Sequence, residues 1–128
     1  MVNKFVAVLA DLASVIVFVA VGRSVHGHGD TLAGILSTAA PFLAGAMAGW
    51  LATRAWNNPT ALWPTAVVIW IATVSIGQIL RLVVGQGSAI PFVLVSLGFF
   101  ALTMLGWRTV VLGARPLRRR LQASRRPI

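Results

Sequence analysis

Cysteine is absent from this 128-residue chain, which excludes structural disulfides, thiolate catalysis and cysteine-ligated metals. Charge is scarce too: charged residues make up 10% of the chain, and only two of them, Asp11 and Asp30, are acidic. No nucleophile is paired with a base and no two carboxylates can share a site, so an enzyme is not expected. Lysine is reduced to Lys4; the other ten basic residues are arginines.

What fills the space is apolar. Hydrophobic residues reach 58%, above the roughly 45–50% of soluble domains. They gather in four runs at about residues 5–22, 32–53, 62–81 and 89–112. A helix rises about 1.5 Å per residue and must cross roughly 30 Å of hydrocarbon, so each run is long enough to span a bilayer. The expectation is an all-α membrane protein: residues 1–112 form four transmembrane helices, and residues 113–128 form a basic tail. Lys4 ahead of an apolar run, with Ala20-Val21-Gly22 behind it, has the outline of a signal peptide. Asp11 lies inside that run, where a signal core carries no charge, so helix 1 is expected to stay in the mature protein.

Four spans bring both termini to one side. With the termini cytoplasmic, that side holds Lys4, Arg54 and the seven arginines from Arg108 to Arg126, against Arg23 and Arg81 on the other. The positive-inside rule therefore predicts cytoplasmic termini and a multi-pass protein of the cell (inner) membrane. Trp50, Trp56, Trp63 and Trp107 fall near the same ends of the helices, as an interfacial aromatic belt would, and Trp70 lies deep in a span. Short connections predict antiparallel neighbours in an up-down-up-down bundle. Asp30 or Thr31 can cap helix 2, Thr60 helix 3 and Ser88 helix 4, with Pro91 tolerated in the first turn of helix 4. A faint repeat runs through the chain. Arg23-x-x-x-Gly27-x-Gly29 recurs as Arg81-x-x-x-Gly85-x-Gly87, and Gly49-Trp50 recurs as Gly106-Trp107. Either a duplicated hairpin or the ordinary placement of Gly, Arg and Trp at helix ends accounts for it.

Asp11 is the most telling residue. A carboxylate about seven residues into a span costs on the order of 2.5–3.5 kcal/mol if left to lipid, so it is expected to face the bundle with Ala7, Ser14, Val15 and Phe18. Arg54 and Arg108 stand at comparable depth as partners for an ion pair; a proton or cation site is the alternative. Arg23 and Arg81 end helices 1 and 3 on the opposite side, where they either snorkel to water or converge on one anion. Gln78 lies one turn before Arg81 on the same face. His26, His28 and Asp30 alternate with glycine, a spacing too loose for a preformed metal site, so neither metal nor cofactor is expected.

Helix 2 reads as a packing helix. Ala40, Ala44, Ala48 and Ala52 form a row of small residues, with Gly45 and Gly49 beside it, which suits close approach of another helix, inside the bundle or from another chain. Pro41 falls within this helix and should free a backbone carbonyl near Ser37 or Thr38. The tail carries Arg115, Arg118, Arg119, Arg120, Arg125 and Arg126 directly after a span. That placement suits an anionic leaflet and the setting of topology. No stacking aromatics accompany it, so nucleic acid is not expected as a partner.

Asp11-Leu12, Gly22-Arg23, Pro41-Phe42-Leu43-Ala44-Gly45 with Gly49-Trp50, Ala61-Leu62-Trp63-Pro64-Thr65, Arg81, Gly85-Gln86-Gly87 and Gly106-Trp107-Arg108 together resemble the small prokaryotic membrane family catalogued as domain of unknown function 3054. The likeness covers about residues 8–108, and Leu62-Trp63-Pro64-Thr65 is its most specific piece. It implies a four-helix membrane protein and marks Asp11, Arg23, Arg81 and Arg108 for testing, but it brings no activity, substrate or catalytic residue. Two functions stay open. One is a structural or accessory membrane subunit that docks a partner. The other is a homo-oligomeric transporter or channel for a small solute or ion, using Asp11 and the Arg23/Arg81 pair. The largely apolar centre of the spans favours the first.

Overall fold

The computed structural model describes residues 3–25 and 31–124, without the side chains of Val25 and Arg118. It is helical throughout, with no strand among the described residues. Helix α1 is Lys4–Val25 and α2 is Leu32–Thr53. Helix α3 is Val67–Val83, entered through an irregular turn at Leu62–Ala66. Helix α4 runs over Ile90–Ser124 with a widened turn at Ala101–Leu105. All four, α3 taken together with its Leu62–Ala66 turn, are long and apolar enough to cross a membrane, and the chain is a multi-pass membrane protein. At about 1.5 Å per residue the 35 residues of α4 reach some 52 Å, well beyond the roughly 30 Å hydrocarbon core. The basic segment as far as Ser124 therefore continues the last helix past the span.

Local chemistry sets the helix ends. Thr31 caps α2, its Oγ1 accepting from the Gly34 amide at 3.1 Å. Arg54 closes α2 in the left-handed region (φ 49°), and a short 3-10 turn at Ala55–Asn57 follows. Trp63 is extended ahead of Pro64, as sterics before proline require, and the bond between them is cis. Two expected caps are not made. The residue ahead of α4 is Ala89, while Ser88 turns its hydroxyl to Gln78; the residue ahead of the Leu62 turn is Ala61, while Thr60 is buried beneath Arg115.

The tightest packing is α2 against α3. A Cβ added at Gly45 would stand 2.6 Å from the Ala72 carbonyl oxygen, and one at Gly49 2.7 Å from the Ile69 Cα. A Cβ at Gly77 would run into the Phe42 ring. Backbones meet here because lipid gives no hydrophobic reason for helices to associate, so close van der Waals contact has to supply the adhesion. The middle of the bundle is filled by Phe18, Phe42, Phe92, Phe99 and Phe100, with ring centroids 4.8–6.0 Å apart. This aromatic plug separates two polar regions, one at the Asp11 end and one at the Arg81 end.

Candidate functional site

Asp11 is completely buried and accepts four hydrogen bonds. Arg108 grips it with both arms of its fork, Nη1 to Oδ1 at 2.9 Å and Nη2 to Oδ2 at 2.7 Å. The indole of Trp50 donates to Oδ2 at 2.8 Å and that of Trp107 to Oδ1 at 3.0 Å. Arg108 is equally buried, and two more of its donors go to backbone: Nε to the Pro59 carbonyl at 2.8 Å, and Nη1 to the Met104 carbonyl at 2.9 Å. Its guanidinium also lies over the Trp107 ring, 4.4 Å from the centroid. A planar fork on a carboxylate, with each oxygen accepting two hydrogen bonds, is the geometry in which a buried ion pair recovers its desolvation cost.

Three elements deliver these groups. One helical face of α1 presents Ala7, Asp11, Ser14, Val15 and Phe18 to the interior. On α4, Ser96, Phe100, Met104 and Arg108 are all buried at intervals of four. A regular α-helix drifts about 40° over four residues, so such a row would wander off its face. The widened turn at Ala101–Leu105 winds less per residue and takes part of that drift back, which aims Arg108 inward. The turn after α2 lays the Pro59 carbonyl on the guanidinium, and Arg115 pins the same turn by donating to the Thr60 hydroxyl at 2.9 Å.

The Asp11 partner is thus Arg108 and not Arg54, which is exposed at the end of α2. The four tryptophans near these helix ends divide into two kinds. Trp56 and Trp63 are exposed, whereas Trp50 and Trp107 turn inward as ligands of the carboxylate. A tryptophan near a helix end carries an N–H as well as an apolar ring, and the buried acid at similar depth was the available signal that the N–H would turn inward.

At the other end, Arg23 and Arg81 line one cavity of about 770 Å³. Arg23 donates to the Thr38 hydroxyl at 3.1 Å. Arg81 donates to the Gly87 carbonyl and to the Gln86 side chain, each at 3.0 Å, and its guanidinium lies 4.6 Å from the Phe92 ring centroid. Gly85 and Gly87 adopt positive φ (79° and 82°), which folds the loop back so that its acceptors face Arg81. Gln86 in turn donates to the Ser37 carbonyl at 3.3 Å. Ser37 is four residues before Pro41, so this is the carbonyl that the proline deprives of its helical partner. Gln78 does not join Arg81: its amide is buried between the hydroxyls of Ser96 and Ser88.

The remaining candidates are spread out. Gly45 and Gly49 face α3, whereas Ala44 is exposed and Ala48 half-buried on the other side of α2. Arg115 is half-buried against Thr60, and Arg119 and Arg120 are exposed. The His26–Asp30 loop, Arg125, Arg126 and the Arg118 side chain lie outside the described residues. The two halves of the faint repeat meet at both ends: Trp50 and Trp107 on the two oxygens of one carboxylate, Arg23 and Arg81 on one cavity.

A family model described as protein of unknown function (DUF3054) matches residues 8–111. The chain belongs to this family. The matched span takes in Asp11, Arg108, both indoles and both cavity arginines of this DUF3054 protein. No curated protein and no solved structure matches it.

Proposed function

We propose that this DUF3054 protein is a non-catalytic structural or accessory subunit of a membrane assembly, carried by the cell (inner) membrane with both termini cytoplasmic. The observation that carries this reading is the outer face of α2. Ala40, Ala44 and Ala52 are exposed and Ala48 is half-buried, while the neighbouring Gly45 and Gly49 are spent on α3. A ridge of small residues left outside the bundle suits a helix of another protein, because it lets two backbones approach closely. Contacts between Asp11 early in α1 and Trp50 late in α2, and between Arg23 late in α1 and Thr38 early in α2, fit an up-down-up-down arrangement. The excess of arginine near the chain ends fits cytoplasmic termini, with the overhanging part of α4 held at anionic lipid.

The alternative, an oligomeric transporter or channel using Asp11, is less well supported. Both Asp11 oxygens are taken, and phenylalanine rings fill the route from there to Arg81. Because the chain has no cysteine, Ala44→Cys places a single photocrosslinker in the native membrane. The accessory reading expects one discrete foreign-protein adduct from Ala44 and none from Leu102→Cys, on an exposed site of α4. Equal labelling from both positions, or adducts only between copies of this chain, would count against it.

A further inference from the structure

We propose that the cavity between Arg23 and Arg81 is a binding site for an anionic lipid, taking its oxyanion headgroup on the arginines and an acyl chain along the aromatic wall. The site is independent of whether the chain has a protein partner. Its volume, about 770 Å³, falls within the roughly 300–1,000 Å³ of small-molecule sites. Its lining is divided by chemistry. Arg23, Arg81, Thr38 and Gln86 form a polar part, and Phe18, Val19, Phe92 and Val95 an apolar part. That is the division an amphiphile requires. Both arginines fall in the last turns of their helices, α1 and α3, and the ends of membrane-spanning helices are where long basic side chains reach the headgroup region.

Charge accounting points the same way. The chain has two side-chain carboxylates, and Asp11 is committed to Arg108 at the far end. Arg81 is held by carbonyl and amide oxygens only, so its positive charge is oriented but not neutralised by any carboxylate among the described residues. Those acceptors engage Nε and one N–H on each terminal nitrogen. Two N–H groups of the fork are left for an oxyanion, which guanidinium grips better than an ammonium would. The guanidinium is also kept from swinging freely to water. Phe92 lies beneath it, Gln86 holds its edge, and Gln86 is itself moored to the carbonyl that Pro41 releases. An arginine fixed in this way is preorganised for a ligand at the membrane surface.

The test is native mass spectrometry of the full chain in mild detergent, with dioleoyl phosphatidic acid and dioleoyl phosphatidylcholine supplied at equal concentration. Phosphatidic acid should be retained at least tenfold over phosphatidylcholine. Arg81→Gln should bring that ratio to near one. Gly22→Phe provides a second arm: Gly22 lines the cavity and an added Cβ there meets nothing within 4 Å, so the substitution starts into open space and is expected to obstruct the acyl path. It too should abolish retention, with elution and near-ultraviolet circular dichroism unchanged. Inorganic phosphate serves as the headgroup alone. If it displaces the lipid at equal concentration and Gly22→Phe has no effect, the site takes a free oxyanion and the lipid proposal falls. Absence of headgroup preference, or a preference that survives Arg81→Gln in folded protein, overturns the site altogether.

Discussion

Replacing Asp11 with asparagine removes one atom's charge and should be among the most damaging single changes in the chain. The carboxylate accepts from both arms of Arg108 and from two indoles. An amide keeps one acceptor oxygen and puts an N–H₂ group where the second stood, so one arm of the guanidinium and one indole then face another donor. Arg108 stays charged and fully buried with its counter-ion gone. Removing one partner of a buried pair costs about 3–5 kcal/mol, against about 0–1 kcal/mol for an exposed pair. Complete burial of both groups places this pair in the first class, so Asp11→Asn should cost about 3–5 kcal/mol. Arg108→Met should cost a similar amount by stranding the carboxylate. The double variant Asp11→Asn/Arg108→Met strands no charge, so its loss should fall short of the sum of the two single losses by about 2–3 kcal/mol. Reversible unfolding by sodium dodecyl sulfate from mixed micelles, followed by tryptophan fluorescence, measures all three. Single losses below about 1 kcal/mol, or strict additivity, would refute a buried, mutually dependent pair.

Other outcomes follow from the same geometry. Trp50→Phe and Trp107→Phe each remove one charge-assisted bond to Asp11 and should each lower stability by about 1.5–3 kcal/mol in that unfolding assay. Trp63→Phe, at an exposed indole, should change stability by less than about 0.5 kcal/mol. Gly45→Ala forces α2 away from the Ala72 carbonyl and should cost about 1–3 kcal/mol. Gly98→Ala meets nothing within 4 Å and should stabilise by about 0.5–1 kcal/mol through helix propensity alone.

The spans were legible because their length is set by bilayer thickness and their composition by the absence of water. Asp11 was legible as an inward residue for the same reason, and Pro41 as a helix interruption that would expose a carbonyl. Which cation would meet Asp11 was not legible. Arg54 and Arg108 stand at similar depth when residues are counted, and two local events decide between them: the left-handed turn that ends α2 at Arg54, and the widened turn that rotates Arg108 inward. Neither has a composition signature. The inward indoles were missed because tryptophan near a helix end satisfies the interfacial rule equally well when it points to lipid. The row of small residues on α2 showed that backbones approach there, but which side meets α3 depends on the placement of Gly45 and Gly49 against Ala72 and Ile69.

Native mass spectrometry of the protein taken from its own membrane at natural expression level tests the accessory reading most directly. That reading predicts a mass that includes a foreign membrane subunit alongside the 13.6 kDa chain. A mass equal to a small integer multiple of this chain, with no other protein, would contradict it and favour an oligomeric transporter.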